Sequence, residues 1–85
     1  MKSFQFIVRD ELGIHARPAG MLAKECIRFK STIKIKKGDK EAVASRLLML
    51  MGLGVKCGDE ITVSVEGEDE EEACQAILQF FKDNL

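Results

Sequence analysis

Apolar and polar residues alternate in three stretches of the chain, at 4–8, 32–36 and 61–65. A period of two predicts a β-strand with one buried and one exposed face. A fourth, short strand is predicted at 42–44, because the preceding sequence KGDK is typical of a hairpin turn. The side chains predicted to face the core are Phe4, Phe6, Val8, Ile33, Ile35, Ile61, Val63 and Val65.

Two longer segments follow the helical period. The first begins at residue 16, and the second follows an acidic run at 68–72. Asp69 and Glu72 have the D-x-x-E spacing of a capping box, so the acidic run is interpreted as a helix start rather than as a ligand site. The two apolar stripes predicted to be buried are Ala19, Leu22, Ala23, Cys26 and Ile27, and Ala73, Ile77, Phe80 and Phe81.

A third, shorter helix is predicted in SRLLMLMGLG, residues 45–54, with Ser45 as its N-cap and its end near Gly52 or Gly54. The element order is then β-α-β-β-α-β-α. Three helices and four strands in 85 residues must share one core. The expected fold is a single α+β domain over residues 1–85, an open-faced β-sandwich in which one antiparallel sheet carries all three helices on one face.

The charge balance argues against nucleic acid as a partner. The formal net charge is −1, and there is no Trp or Tyr to stack on bases. Lysines and arginines do cluster at 28–40, but their alternation along a predicted strand is more typical of a solvated sheet face.

The sequence does not indicate a membrane span, a secretory signal, a metal centre or a disulfide framework. The longest apolar run, LLMLMGLGV, is about half the length of a membrane span, and the first residues show no secretory signal pattern. With one histidine and no CxxC, a metal centre is not expected. Cys26, Cys57 and Cys74 are an odd number without close spacing, which fits a reducing cytoplasm, with Cys26 and Cys74 as small core residues.

The segment LGIHARPAGML, residues 12–22, contains the only histidine and the only proline. It places His15 at the N-cap of the first helix and Pro18 in the first turn, where proline is tolerated. An anion on the imidazole would meet free amides and a favourable helix dipole, and Arg17 adds donors suited to phosphate oxygens. Because a neutral imidazole is nucleophilic, the assembly suits a phosphoryl group carried on histidine.

Two other interpretations of His15 stay open at this point. It could be an ordinary loop histidine beside a surface charge, because the tetrapeptide His-x-Arg-Pro is not very specific. It could also form a Cys–His nucleophile pair, which requires one of the three cysteines beside it and a cleft for a substrate.

The short helix is apolar nearly all round, although a helix on an open sheet can bury only one face. Leu47, Leu48 and Met51 share one side, and Leu50 and Leu53 share another, so one set is expected to stay exposed.

Met21, opposite the apolar stripe of the first helix, is also surplus to the core. Exposed apolar patches on small proteins mark partner surfaces, and methionine suits several partners in turn. The alternative is that helix and loop tuck under one another and bury everything.

These motifs together resemble a known family. GIHARPAGML closely resembles the active-site segment of HPr, the histidine-containing phosphocarrier of the bacterial phosphoenolpyruvate-dependent sugar phosphotransferase system. LMLMGLGVKCGDEITV resembles the family's second hallmark, a short apolar helix, a Gly-rich turn and the last strand. The resemblance covers essentially the whole chain and implies the open-faced β-sandwich described above.

The resemblance also implies a function: a phosphoryl carrier without a cofactor, not an enzyme in its own right. His15 would accept a phosphoryl group on Nδ1 from enzyme I, charged by phosphoenolpyruvate, and pass it to a histidine on the IIA component of a sugar transporter. Arg17 would steady the phosphate and Pro18 would shape the helix start. The implied docking surface comprises Gly20, Met21, Leu47, Leu48 and Met51, and regulatory proteins are further candidate partners.

One position departs from the family pattern. Many Gram-positive relatives start the short helix with a serine that a dedicated kinase phosphorylates, and an ungapped match places Arg46 there, with Ser45 one residue earlier. The carrier site is intact, whereas a regulatory phosphorylation at Ser45 is in doubt. The alternative function is an HPr-like regulatory or interaction module that acts through its apolar patch without sugar transport.

Overall fold

The computed structural model describes residues 1–85, and it contains four strands and three helices in the predicted order. None of the helices is both long and apolar enough to cross a membrane. The elements are β1 (Lys2–Ile7), α1 (Ala16–Ile27), β2 (Thr32–Lys37), β3 (Lys40–Val43), α2 (Leu47–Met51), β4 (Glu60–Glu66) and α3 (Glu70–Asn84).

The four strands form one antiparallel sheet in the order β1-β4-β2-β3. The last strand in sequence therefore lies between β1 and β2, with Phe4 opposite Val63 and Ile35 opposite the same residue on the other side. A one-residue slip of β4 would turn its buried side chains to the solvent face, so the alternating pattern fixes this register. The fold prediction is confirmed.

The core lies between the sheet and the helices. α3 packs on β1 and β4, α2 packs beside β3, and α1 contacts both other helices. Phe81 of α3 is fully buried and stacks on Phe6, while Phe4 approaches it edge-on. Every strand position predicted to face the core is buried or half-buried, as the period-two pattern requires.

The hairpin between β2 and β3 is tighter than the sequence pattern indicated. Lys37 pairs with Lys40, so only Gly38 and Asp39 form the turn. Gly38 has φ 58°, a conformation that two-residue hairpin turns require and that glycine adopts without strain. The predicted bounds of the strand, 42–44, were therefore wrong: this short turn lets pairing begin at Lys40, and β3 ends at Val43.

Ile27 was wrongly predicted to belong to the buried stripe of α1, because 69% of its surface is exposed. At 3.6 residues per turn it lies about 100° around the helix from Cys26, which is buried. A spacing of i+8 from Ala19 therefore reaches only the edge of the stripe.

The capping box predicted for α3 is also wrong. Asp69 does occupy the N-cap position, but its carboxylate makes no cap bond. Instead it accepts bonds from the Lys30 amide and from the amide and hydroxyl of Ser31. The carboxylate of Glu70, not that of Glu72, reaches back to an amide, that of Gly67. The long-range bonds to residues 30 and 31 tie the turn before β2 to the start of α3 and take the place of a local cap.

The N-cap of α2 is Arg46, so the prediction of Ser45 was wrong by one residue. Ser45 lies in the turn that follows β3, and the amide of Arg46 donates to Val43 O at 3.0 Å. This turn delays the helix by one residue. The helix ends at Gly52, as predicted.

Candidate functional site

The loop before α1 is held by a close backbone approach. Gly13 has φ 67°, and a Cβ atom there would collide with the Val55 carbonyl. The next amide, that of Ile14, donates to Val55 O at 3.2 Å. Only glycine fits this position, and the contact fixes where the chain enters His15.

Asp10 shapes the other end of the same loop. Its Oδ1 accepts the Leu12 amide at 2.9 Å, and its carbonyl accepts the Gly13 amide at 2.9 Å. The amides of Arg9 and Asp10 both donate to Leu85 O, at 2.6 and 3.0 Å. Both its local turn and the carbonyl of Leu85 therefore anchor the loop.

His15 is the N-cap residue of α1, with φ −101° and ψ 179°, as the sequence indicated. Its carbonyl accepts the Ala19 amide at 3.0 Å, but its side chain makes no cap bond and is 35% exposed. Pro18 has no N–H, so the free donors of the first turn are the amides of Ala16 and Arg17, which find no acceptor in the chain. The helix start therefore presents two unpaired amides beside an accessible imidazole.

The imidazole lies in a shallow depression with charges of both signs. Its lining residues are Asp10, His15, Arg17, Pro18, Met21 and Asn84. Asp10 Oδ1 lies 4.0 Å from Nε2 of His15. Arg17 is exposed and makes no ion pair, so its guanidinium is free to meet an anion. The depression suits a phosphate-sized group and leaves no cleft for a larger substrate.

An apolar surface lies on α2. Leu48 is 83% exposed, and its neighbours Leu47, Met49 and Met51 are also exposed. We call these four residues the α2 patch. Leu50 and Leu53 are buried, so the helix does turn one apolar side inward and leaves the other open. Leu47, Leu48 and Met51 were predicted; Met49 was missed, although the helix being apolar all round was the signal for it.

α1 packs against α2. Its two predicted docking residues are Met21, which is flexible, and Gly20, which has no side chain. Met21 is exposed, as predicted. Nothing lies within 4 Å of the position that a Cβ atom would take at Gly20. Glycine is therefore not required there by packing inside the chain, and its smooth surface faces outward.

The cysteines take no part in this site. None of them lines the depression around His15, and no group of three or more metal-ligating side chains is present. Burial raises the pKa of the Cys26 thiol to about 12, so it stays protonated and unreactive. Cys57 is exposed and Cys74 is half-buried against the core.

Comparison with known proteins decides the family. Residues 2–83 match the family described as "PTS HPr component phosphorylation site". The chain belongs to the HPr family of phosphocarrier proteins. The phosphocarrier protein HPr of Mycoplasma genitalium is 42% identical over 85 residues, which cover 99% of this chain and 97% of that protein. The HPr of Lysinibacillus sphaericus is 46% identical over 91% of this chain and 88% of its own length.

Solved structures agree with the sequence relatives. A histidine-containing phosphocarrier protein of Mycoplasma superposes with a TM-score of 0.94 at 39% identity, covering 96% of this chain and 93% of the other. Among the sequence relatives, the HPr-like protein Crh of Halalkalibacterium halodurans is 38% identical over 92% of this chain and 93% of its own length. The resemblance to HPr and the open-faced sandwich are thus confirmed, and the chain is a phosphocarrier of the phosphotransferase system rather than a catalytic enzyme.

Proposed function

We propose that His15 accepts a phosphoryl group from enzyme I and passes it to the IIA components of sugar transporters. The observation that carries the proposal is the pairing of an accessible imidazole with the two unpaired amides of Ala16 and Arg17 at the start of α1. A carrier needs an exposed nucleophile and moderate stabilisation of the anion, and both are supplied here without a cleft.

The residues divide the work by their chemistry. The resemblance to HPr implies Nδ1 as the acceptor atom, the ring nitrogen that lies closer to the His15 backbone along the side chain. Arg17 offers charge-assisted donors to the phosphate oxygens. Pro18 adds no competing N–H to the first turn and fixes its φ, which favours an open helix start.

The experiment that tests this proposal is transfer of label from phosphoenolpyruvate through enzyme I. The wild-type chain is expected to become an acid-labile phosphoprotein, and His15→Ala is expected to take no label while keeping its fold. Cys57→Ala serves as a matched control, because this exposed side chain lies outside the depression. Undiminished labelling of His15→Ala would contradict the proposal.

We further propose that partners dock on the α2 patch together with Gly20 and Met21. The support is the exposure of four apolar side chains on a helix of five residues. Leu48→Asp is expected to raise the concentration of carrier needed for half-maximal transfer about tenfold, with little loss of thermal stability. Leu50 lies in the same helix but is buried, so Leu50→Asp is expected to unfold the protein instead.

A second candidate function, a regulatory module that acts through the α2 patch alone, is favoured by the similarity to the HPr-like protein Crh. The labelling experiment separates the two candidates, because a module of this kind needs no phosphoryl acceptor at His15. Three free cysteines support a site of action in the reducing cytoplasm.

We propose that regulatory phosphorylation at the start of α2 does not operate in this chain. Arg46 has no hydroxyl, and Ser45 lies in the preceding turn rather than at the N-cap. Arg46 is exposed beside the α2 patch, where its permanent positive charge favours acidic partner surfaces.

A further inference from the structure

We infer that Asp10 is a positioning residue that keeps the ring proton of His15 on Nε2 throughout phosphoryl transfer. The inference rests on the proposed function, since it concerns the same imidazole. It starts from the 4.0 Å separation between Asp10 Oδ1 and His15 Nε2, the ring nitrogen that is not the implied acceptor.

Asp10 is held in place by more than this contact. The same oxygen, Oδ1, accepts the Leu12 amide at 2.9 Å, and the Asp10 carbonyl accepts the Gly13 amide. The Asp10 amide donates to Leu85 O at 3.0 Å. A carboxylate fixed by its own turn and by a distant carbonyl is preorganised, so its charge is presented to the ring in a constant position.

The charge acts on the choice between two tautomers. A neutral imidazole carries its proton on either nitrogen. A carboxylate at 4.0 Å is too far for a direct hydrogen bond, but it attracts the ring edge that bears the N–H. The tautomer with Nε2–H is therefore favoured, and the lone pair of Nδ1 is left free to attack.

This arrangement removes a proton transfer from the reaction. Nδ1 of the Nε2–H tautomer attacks phosphorus, the bond from phosphorus to the donor's leaving atom breaks, and its electron pair stays with the donor. The ring then carries a formal positive charge, with phosphoryl on Nδ1 and the original proton still on Nε2. In onward transfer a nucleophilic atom of the acceptor bonds to phosphorus, the P–N bond breaks and its electron pair returns to Nδ1, which restores the starting tautomer.

The charged groups around the ring act in opposite directions. Only Asp10 and Arg17 are charged among the residues that line the depression, and Asn84 is neutral. Arg17 suits the phosphate, whereas Asp10 suits the positive ring that phosphorylation creates. Arg17 and Asp10 are thus each matched in charge to one part of a phosphorylated histidine, the phosphate and the ring.

The test compares Asp10→Asn with Glu11→Gln. The first variant retains an amide oxygen that can accept the Leu12 N–H, so the turn is preserved while the charge is lost. The second removes the same charge from the neighbouring, exposed residue, which does not line the depression. Tautomer populations are read from the ring ¹⁵N signals of His15 in the unphosphorylated protein, above the pH at which the imidazole is charged.

We expect Nε2–H to dominate in the wild type and in Glu11→Gln, and the share of Nδ1–H to rise in Asp10→Asn. With enzyme I and phosphoenolpyruvate, Asp10→Asn should show kcat lowered roughly fivefold and KM unchanged, the factor that one unit charge at this distance gives in high dielectric. Equal tautomer populations and equal kcat in the two variants would overturn the inference. A wild-type chain that takes no label would contradict the proposed function, and the NMR comparison would still decide whether Asp10 sets the tautomer.

Discussion

The starts of α1 and α3 meet the same physical requirement, a negative charge near the free amides, to opposite degrees. The first turn of α3 carries three carboxylates, those of Glu70, Glu71 and Glu72. The first turn of α1 carries none, and it presents Arg17 instead. Negative side chains at a helix N-terminus stabilise the helix dipole, so α3 is stabilised by its own sequence.

The difference shows where the fold gives up stability for chemistry. The start of α1 leaves two amides unpaired and adds a positive charge where a negative one would be favourable. In the proposed function, that cost is offset when a phosphoryl group is carried on His15. A helix start that its own side chains had satisfied would have nothing left to offer a phosphoryl group.

The largest effect is expected when the first turn of α1 receives a carboxylate like those in the first turn of α3. Ala16→Glu places a carboxylate in the first turn of α1, beside the proposed phosphate position. Repulsion of a phosphate dianion should slow labelling by enzyme I roughly thirtyfold, whereas the helix itself gains about 0.5 kcal/mol. Ala16→Gln, which has the same size without the charge, should transfer at nearly the wild-type rate. Fast labelling of Ala16→Glu would mean that the helix start does not stabilise the anion.

The start of α3 can be broken at Asp69. The Ser31 hydroxyl and the Lys30 amide donate to this carboxylate and hold its pKa below the ordinary value. The stabilisation is therefore present above about pH 4, the unfolded value, and is lost as the pH falls through the lower folded value. Asp69→Asn should lower Tm by several degrees at neutral pH and flatten the fall of Tm in acid, because its NH₂ group cannot accept the Lys30 amide.

The matched control for Asp69→Asn is Glu71→Gln. Glu71 is exposed in the first turn of the same helix and makes no ion pair. Its loss should change Tm only slightly, through the helix dipole. Thermal melts of both variants across the acid range measure the difference, and parallel curves for the two would show that the bonds to residues 30 and 31 are not what stabilises this helix start.

Removing Arg17 tests how much of the stabilisation of an anion at the start of α1 comes from its side chain and how much from the amides. Arg17→Ala should slow labelling about fivefold without abolishing it, because the amides of Ala16 and residue 17 remain. Arg17→Lys should restore part of the rate, since it keeps the charge but not the planar donors. Complete loss of labelling in Arg17→Ala would assign to the guanidinium the role that we give to the amides.

The start of α2 provides the smallest expected effect. A kinase that phosphorylates HPr at its regulatory serine is expected to leave this chain unlabelled in the presence of ATP, because Arg46 occupies the N-cap and Ser45 lies in the turn before it. Arg46→Ser should become a substrate. Stoichiometric phosphate on Ser45 of the wild-type chain would show that the switch had moved by one residue and was not lost.

Elements defined by long apolar repeats were predictable from the sequence. Ile61, Val63 and Val65 are all fully buried, because a two-residue period has only one register that hides them. His15 was placed correctly at its N-cap, since Pro18 allows few other positions for the helix start. Periodicity and proline geometry are local properties, and they can be read without knowledge of the partners in space.

Two of the errors lie where distant residues decide. The local sequence assigns Asp69 to a capping box with Glu72, but Ser31 and Lys30 take its carboxylate from across the molecule. Asp10 gave no signal as part of the site, because its approach to His15 depends on a turn and on an anchor far along the chain. Met49 was missed for a simpler reason, since a helix of five residues has too few turns to define its faces.

The carbonyl of Leu85 accepts the amides of Arg9 and Asp10, so the loop that carries His15 is anchored by a residue from a distant part of the sequence. Contacts between distant parts of a sequence form after local ones. A chain still on the ribosome already contains the histidine and its helix, but the loop lacks that anchor until residue 85 has emerged.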